Sequence, residues 1–330
     1  MGYRSFHRLA VPVVVAIVVL ASHSVSGQTK TGWGDPDLQG IWTSSGATPF
    51  ERPTDLAARE MLSTEEVASA RSQAEERSED LLQREAQRTQ AGGNIGAYND
   101  FWMDPGVRSN RTSMVVDPAN GRLPTLTPEG QKARNEWLKA PGGVELDDTW
   151  EDRHIWERCV TRGGMPNAMF PRGYNNNMHI FQSPGYVVML LEQVHEVRVV
   201  PLDDRPPLPS NITQWNGDAR GYWDGDTLVV TTTNLDHRVS ALQPWSLFHS
   251  RDGSGEGLTL VERYSRTSTG ELEYTVEVND PQMYTRPWTV SYPFSLSSDL
   301  MFEYACHEGN HGMEGILNGG RADDAAETEQ

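Results

Sequence analysis

The sequence predicts a mainly β protein, an antiparallel meander that closes as a barrel or stacks as a sandwich. Three observations predict it. From Met178 onward, β-branched and aromatic residues recur with period two in short runs. Those runs are punctuated by Gly, Asp and Ser turn signals at the spacing of an all-β domain. No long helical pattern alternates with them, which disfavours a parallel βαβ sheet.

The elements follow in chain order. A Gly-, Pro- and Trp-rich opening from Gly32 to Trp42 reads as an extended, docked arm. Ser63 with Glu66 forms a capping box, and the Glu-, Gln-, Arg- and Ala-rich run to about Gln90 reads as a surface helix ended by Gly92-Gly93. Aromatic and Pro/Gly clusters then alternate to about residue 150, with a strand at 114–116 and a short helix at 128–137. A buried strand is predicted at 185–192 and another at 196–200. Runs 219–223 and 227–233 flank the Asp224-Gly225 turn as a hairpin; 258–267 and 271–278 form a second around Ser268-Thr269-Gly270. Runs 285–294 and 300–306 complete eight or nine strands. The expected organisation is a leader over 1–27, a helical and irregular extension over 28–150, and the β-barrel domain over 151–330.

Composition narrows the function classes. The 330 residues carry 28 basic and 46 acidic side chains, a formal charge of −18. A field of that sign repels polyanions, so a nucleic-acid partner is excluded. The leader has a basic start (Arg4, His7, Arg8), an apolar run 9–20 broken only by Pro12, and small residues to Gly27. That is the layout of a secretory signal peptide, and its run of about 13 apolar residues falls short of the ~20 that a spanning helix needs. Cleavage after Gly27 removes Arg4 and Arg8 and no acid, taking the charge from −18 to −20. A periplasmic or secreted protein with no stable membrane span is therefore expected. In an oxidising compartment Cys159 and Cys306, the only cysteines, read first as a disulfide and second as two buried thiols. There is no CxxC, GxGxxG or Walker loop, so no redox, cysteine–zinc or nucleotide-cofactor site is indicated.

Several strings carry a resemblance: PDLQGIW at 36–42, ERCVTRG at 157–163, YNNN at 174–177, HEVR at 195–198, the stretch from Gly217-Asp218 to Leu228, and FEYACHEGN at 302–310. Together they resemble a large family of exported soil-bacterial proteins, and the likeness runs through nearly all of the mature chain. It brings no reaction with it. The hairpin at 223–230 is also similar to hairpins of lipocalin-like barrels, a likeness of fold that leaves function open.

Candidate chemistry centres on two histidines. His195 opens a strand, and His307 shares a strand face with Glu303 if the extended geometry persists beyond Cys306. A closed barrel turns every second side chain inward, so residues distant in sequence can meet in one lumen. His195 and His307 are the proton-transfer candidates there, with Asp218 or Glu308 orienting one of them. Arg198 or Arg162 would hold an anionic or carbonyl group, and Asn176, Glu192 and Trp215 complete the candidate binding set. The plainer readings stand beside these: a hydrogen-bonded structural His, an Asn175-Asn176-Asn177 turn, and a solvated Glu196/Arg198 pair.

The string His307-Glu308-Gly309-Asn310-His311 also matches HExxH, a zinc motif when helical. Gly309 and Gly312 weaken a helix there, and members of the family it resembles carry Tyr where His311 stands. A three-His metal site from His179, His195 and His307 is not demanded by the spacing. The order of expectation is an exported small-molecule lyase, isomerase or hydrolase using His/carboxylate acid–base chemistry without an organic cofactor, with metal left open. A non-catalytic periplasmic ligand-binding protein is the alternative, and an HExxH-type zinc hydrolase the second. An envelope structural module would instead expose apolar patches and enclose no pocket.

Overall fold

The computed structural model describes residues 29–44, 47–83, 109–138, 149–238, 242, 253–255 and 257–328. The expected leader and the predicted helix end at Gly92-Gly93 lie outside them.

One antiparallel sheet organises the chain. Its strands are β1 (Gly40–Thr43), β2 (Val115–Asp117), β3 (Asn177–Ser183), β4 (Tyr186–Leu191), β5 (Val197–Pro201), β6 (Asp218–Asp224), β7 (Thr227–Thr233), β8 (Thr259–Ser268), β9 (Glu271–Asn279) and β10 (Trp288–Ser297). Their order is β5-β4-β3-β1-β10-β9-β8-β7-β6, with β2 alongside β10. The predicted alternation is plain in β9: Leu272, Tyr274, Val276 and Val278 are buried, while Glu271 and Glu277 face solvent. Both expected hairpins form, with Trp223 opposite Leu228 in one and Tyr264 opposite Tyr274 in the other.

The sheet curls until its two end strands approach. Arg198 on β5 reaches Glu262 on β8 and Thr232 on β7. Gly221 on β6 lies so near β5 that a Cβ there would stand 2.7 Å from Val200 and 2.9 Å from Leu202. No ladder joins β5 to β6 among the described residues, so closure comes from side-chain contact.

Three expectations are corrected. The opening arm does more than dock: β1 inserts between β3 and β10 and buries Trp42, whose indole donates to Leu38 O at 2.9 Å. The sheet thus draws on residues well before the boundary expected at 150. The run 300–306 is not a strand; the chain leaves the sheet at Ser297, and Leu300 and Phe302 are each 74% exposed because no neighbouring strand covers them. Nor is the lumen hollow. Trp42, Tyr264, Tyr274 and Phe294 fill it around the Arg198–Glu262 pair, all of them buried.

Among the described residues, three α-helices lie outside the sheet: α1 (Thr64–Gln83), α2 (Pro128–Leu138) and α3 (His311–Thr328). The capping box of α1 is formed, with Ser63 Oγ accepting from Glu66 N at 3.2 Å and Glu66 accepting from Ser63 N at 2.8 Å. No described helix is long and apolar enough to cross a membrane.

Candidate functional site

The expected disulfide is present. Cys159 and Cys306 join across 147 positions with Cα atoms 5.8 Å apart. The bridge ties the segment after β10 to the loop that precedes β3, and Asn310 Nδ2 adds a bond to Glu157 O at 2.7 Å. This brings His307 to His195, with ring centroids 6.2 Å apart. His195 sits on a tight β4–β5 link where Val194 and His195 both take positive φ, 63° and 44°, a costly conformation for a β-branched residue. Its Nδ1 lies 3.1 Å from Tyr304 O.

Both imidazoles are exposed, so the pair lies on the surface and outside the lumen. Neither of the expected orienting acids bonds to them among the described residues. Asp218 is buried against Arg220 at 2.6 Å and accepts from Leu208 N at 3.0 Å, while Glu308 is exposed. The HExxH string is not helical, because a turn spans 306–309 and α3 begins only at His311. His179 lies against Phe181, ring centroids 3.8 Å apart. No group of three His, Cys, Asp or Glu able to hold a metal is found among the described residues.

The binding candidates separate into two places. Arg198, Asp218 and Trp215 line one open cleft of about 510 Å³ together with Val197, Val199 and Asn216. This cleft is the mouth of the β5/β6 seam. At one end Gly221 lets the strands touch; at the other they part, and Val197 and Val199 remain 56% and 52% exposed. Gly217, at φ +71°, makes the turn into β6, where a Cβ would stand 2.6 Å from Thr233 O. Trp215 is half-buried beneath the guanidinium of Arg238, 4.2 Å from its ring centroid. The outer face continues the apolar surface, since Val199 pairs with Val188 and Val188 with Phe181, which is 44% exposed.

The second place is the base of the loop before β3. Glu196, expected on a solvated face with Arg198, is instead buried, because both residues turn inward from the β4–β5 corner. Arg198 pairs with Glu262. Glu196 accepts from Thr161 Oγ1, from Arg162 N and from Asn216 Nδ2. Burial raises the Glu196 carboxyl above the ordinary range, against the pull of those donors. Asn176 makes the expected turn bonds, accepting from Arg172 N at 2.8 Å and donating to Arg172 O at 2.7 Å. Glu192 is buried and accepts from Asn177 Nδ2 at 2.8 Å.

Sequence reasoning passed over Arg172, His154 and Glu262. Burial, aided by the charges of Arg172 and Arg158, lowers His154 to about 4 against the opposing pull of Glu157. Burial lowers Arg162 to about 10. Inside the barrel, Glu262 accepts from Arg198 twice and from the hydroxyls of Tyr264 and Tyr274. Inward alternation on β8 could have flagged Glu262; nothing local marks His154.

No protein-family model and no curated protein matches the chain. Among solved structures, a secretary abundant heat soluble (SAHS) protein from Ramazzottius varieornatus shares 12% identity with it. That match covers 44% of this chain and 89% of the other, at a TM-score of 0.24.

Proposed function

We propose that this is an exported small-molecule-binding protein whose ligand lodges in the β5/β6 seam. One observation carries the reading. The two end strands part to leave about 510 Å³ between unpaired strand edges, bordered by Val197, Val199 and Trp215. That volume suits a small organic molecule. Unpaired backbone groups offer donors and acceptors along both edges, while Trp215 and the two valines offer apolar contact. The ionisable groups bordering the cleft are already engaged: Asp218 with Arg220, Arg198 with Glu262. The seam therefore suits binding better than proton transfer. A ring-bearing ligand with a polar edge fits this lining.

The test uses the fluorescent probe 1-anilinonaphthalene-8-sulfonate. Saturable binding is expected, weakened about tenfold, or ~1.4 kcal/mol, in Trp215→Ala. Unchanged affinity in Trp215→Ala and in Val199→Asp would remove the seam as the site.

A second reading keeps acid–base catalysis, and the 6.2 Å His195–His307 pair favours it. Tyr304 O would fix the His195 tautomer, leaving Nε2 to exchange a proton. Turnover abolished in folded His195→Ala and His307→Ala proteins supports that reading; turnover at the wild-type rate in both rejects it.

A further inference from the structure

We infer that the cleft between α1 and the outer face of β9 and β10 binds a small zwitterion of dipeptide size. The ligand's carboxylate faces Arg71 and Arg111, and its ammonium faces Glu271 and Glu273. The cleft shares no lining residue with the β5/β6 seam, and the inference does not rest on the reading given to that seam.

The composition of α1 leaves the cleft open. Between Thr64 and Asp80 its only apolar side chain larger than alanine is Val67, so the helix has no apolar stripe with which to seat on the sheet. On the sheet side, Glu271 and Glu273 alternate outward from the buried Leu272 and Tyr274, opposite Ser295 and Pro293 of β10. About 540 Å³ remains between helix and sheet, within the range of small-ligand sites. The helix is held from its N-terminal end. Arg59 Nη1 donates to Glu66 at 2.9 Å, Leu62 N to Asn110 O at 2.7 Å, and Thr112 N to Glu60 O at 3.0 Å. The cleft is thus formed before a ligand arrives.

Charge selects the ligand. Val67 and Arg71, one helical turn apart, line the cleft from α1, and Arg111 adds a second cation from the segment before β2. The two glutamates give the sheet side the opposite sign. These charges are not spent on one another: among the described residues, no ion pair joins either arginine to either glutamate, and Arg71 has no ion-pair partner. Arg111 meets only Glu60, at 3.4 Å, whose side chain is 67% exposed. The carboxylates accept hydroxyl bonds, Glu271 from Thr267 Oγ1 at 2.8 Å and Glu273 from Ser291 Oγ. A molecule entering the cleft displaces water from charges of both signs. A simple anion is repelled by the glutamates, a simple cation by the arginines, and a neutral molecule compensates neither. A carboxylate and an ammonium on one short backbone compensate both, with Met114 and Pro293 offering apolar contact between them. Nor is this a metal cage, since among the described residues no third His, Cys, Asp or Glu completes one.

The test is isothermal titration calorimetry of the full chain with alanyl-leucine and with its N-acetyl and C-terminal amide forms, each of which lacks one charge. Saturable binding of the free dipeptide is expected, weakened about tenfold by either blocking group. Paired variants assign the two ends. In Arg71→Gln with Arg111→Gln, the free dipeptide and its amide should bind alike. In Glu271→Gln with Glu273→Gln, the free and N-acetyl dipeptides should bind alike. Trp215→Ala should leave the titration unchanged. No heat of binding for alanyl-leucine, or equal wild-type affinity for all three forms, would overturn the site. Binding lost in Trp215→Ala would also overturn it, by moving the dipeptide to the seam. The wild-type titrations stand even if a variant fails to fold.

Discussion

Arg198 on β5 and Glu262 on β8 meet across the barrel axis in a two-pronged ion pair, with bonds of 3.0 and 2.6 Å and both side chains almost wholly enclosed. Burial raises Tyr264 and Tyr274 well above the ordinary tyrosine range, and Glu262 adds to the effect, so both hydroxyls stay protonated and donate to the carboxylate. The pair ties an end strand to the opposite wall where no ladder closes the sheet. It also fills the space in which a lipocalin-like reading expects a cavity.

Removing one partner strands the other. Arg198→Met should cost about 3–5 kcal/mol in chemical denaturation, because Glu262 is left buried and uncompensated. Arg198→Met combined with Glu262→Leu should recover part of that loss, with the remainder reporting the two tyrosine hydroxyls left without their acceptor. A double variant no more stable than Arg198→Met alone would mean the charges themselves are not coupled.

The disulfide holds the segment after β10 where strand pairing does not. Cys159→Ser with Cys306→Ser should lower stability by about 2–5 kcal/mol. It should also release His307 from His195, seen as loss of contacts between the two imidazoles in NMR. Retained imidazole contacts in the reduced protein would show that Asn310 and its neighbours suffice.

Acid sensitivity should track His154. Its folded-state value of about 4 lies below the ordinary 6.5, so the unfolded chain takes up the proton first as pH falls. Its contribution is present above pH 6.5 and is lost between pH 6.5 and 4; a depression of that size corresponds to at most about 3 kcal/mol. Glu196, raised by burial, acts in the opposite sense: its contribution is present below the unfolded carboxylate value and is lost as pH rises through the higher folded value. Denaturation midpoints measured at several pH values should therefore flatten between pH 4 and 6.5 in a folded His154→Gln protein. An unchanged slope would assign the sensitivity elsewhere.

Gly221 is the point where the seam closes. In Gly221→Val the new side chain must displace Val200 and Leu202, and a loss of about 1–3 kcal/mol is expected from the overpacking. Amide exchange of β5 should rise more than that of β9, which has a paired strand on each side. Equal protection of both strands would show that the end strands do not depend on this contact.

The central strands were legible because their signal is local. Alternation over 185–192, the Asp224-Gly225 turn and the Ser63/Glu66 box each state their structure within a few residues. β1 was not legible, since Gly40 to Thr43 is too short to show a period and becomes a strand only between β3 and β10. The glycines at 312, 315, 319 and 320 hid α3 by lowering its helix propensity. At the site, pairing Cys159 with Cys306 was readable from the count of two cysteines and the export that the leader predicts. Burial of Glu196 was not, because the corner that turns it inward depends on the positive φ of Val194 and His195.

The seam as a ligand site is tested most directly by diffraction from crystals soaked in a set of small aromatic acids and amides. Density is expected for bound molecules against Trp215, between the β5 edge at Val197–Val199 and the turn at Asn216–Ala219. Fragments bound only elsewhere, or β5 and β6 drawn together into a continuous ladder that fills the gap, would contradict it.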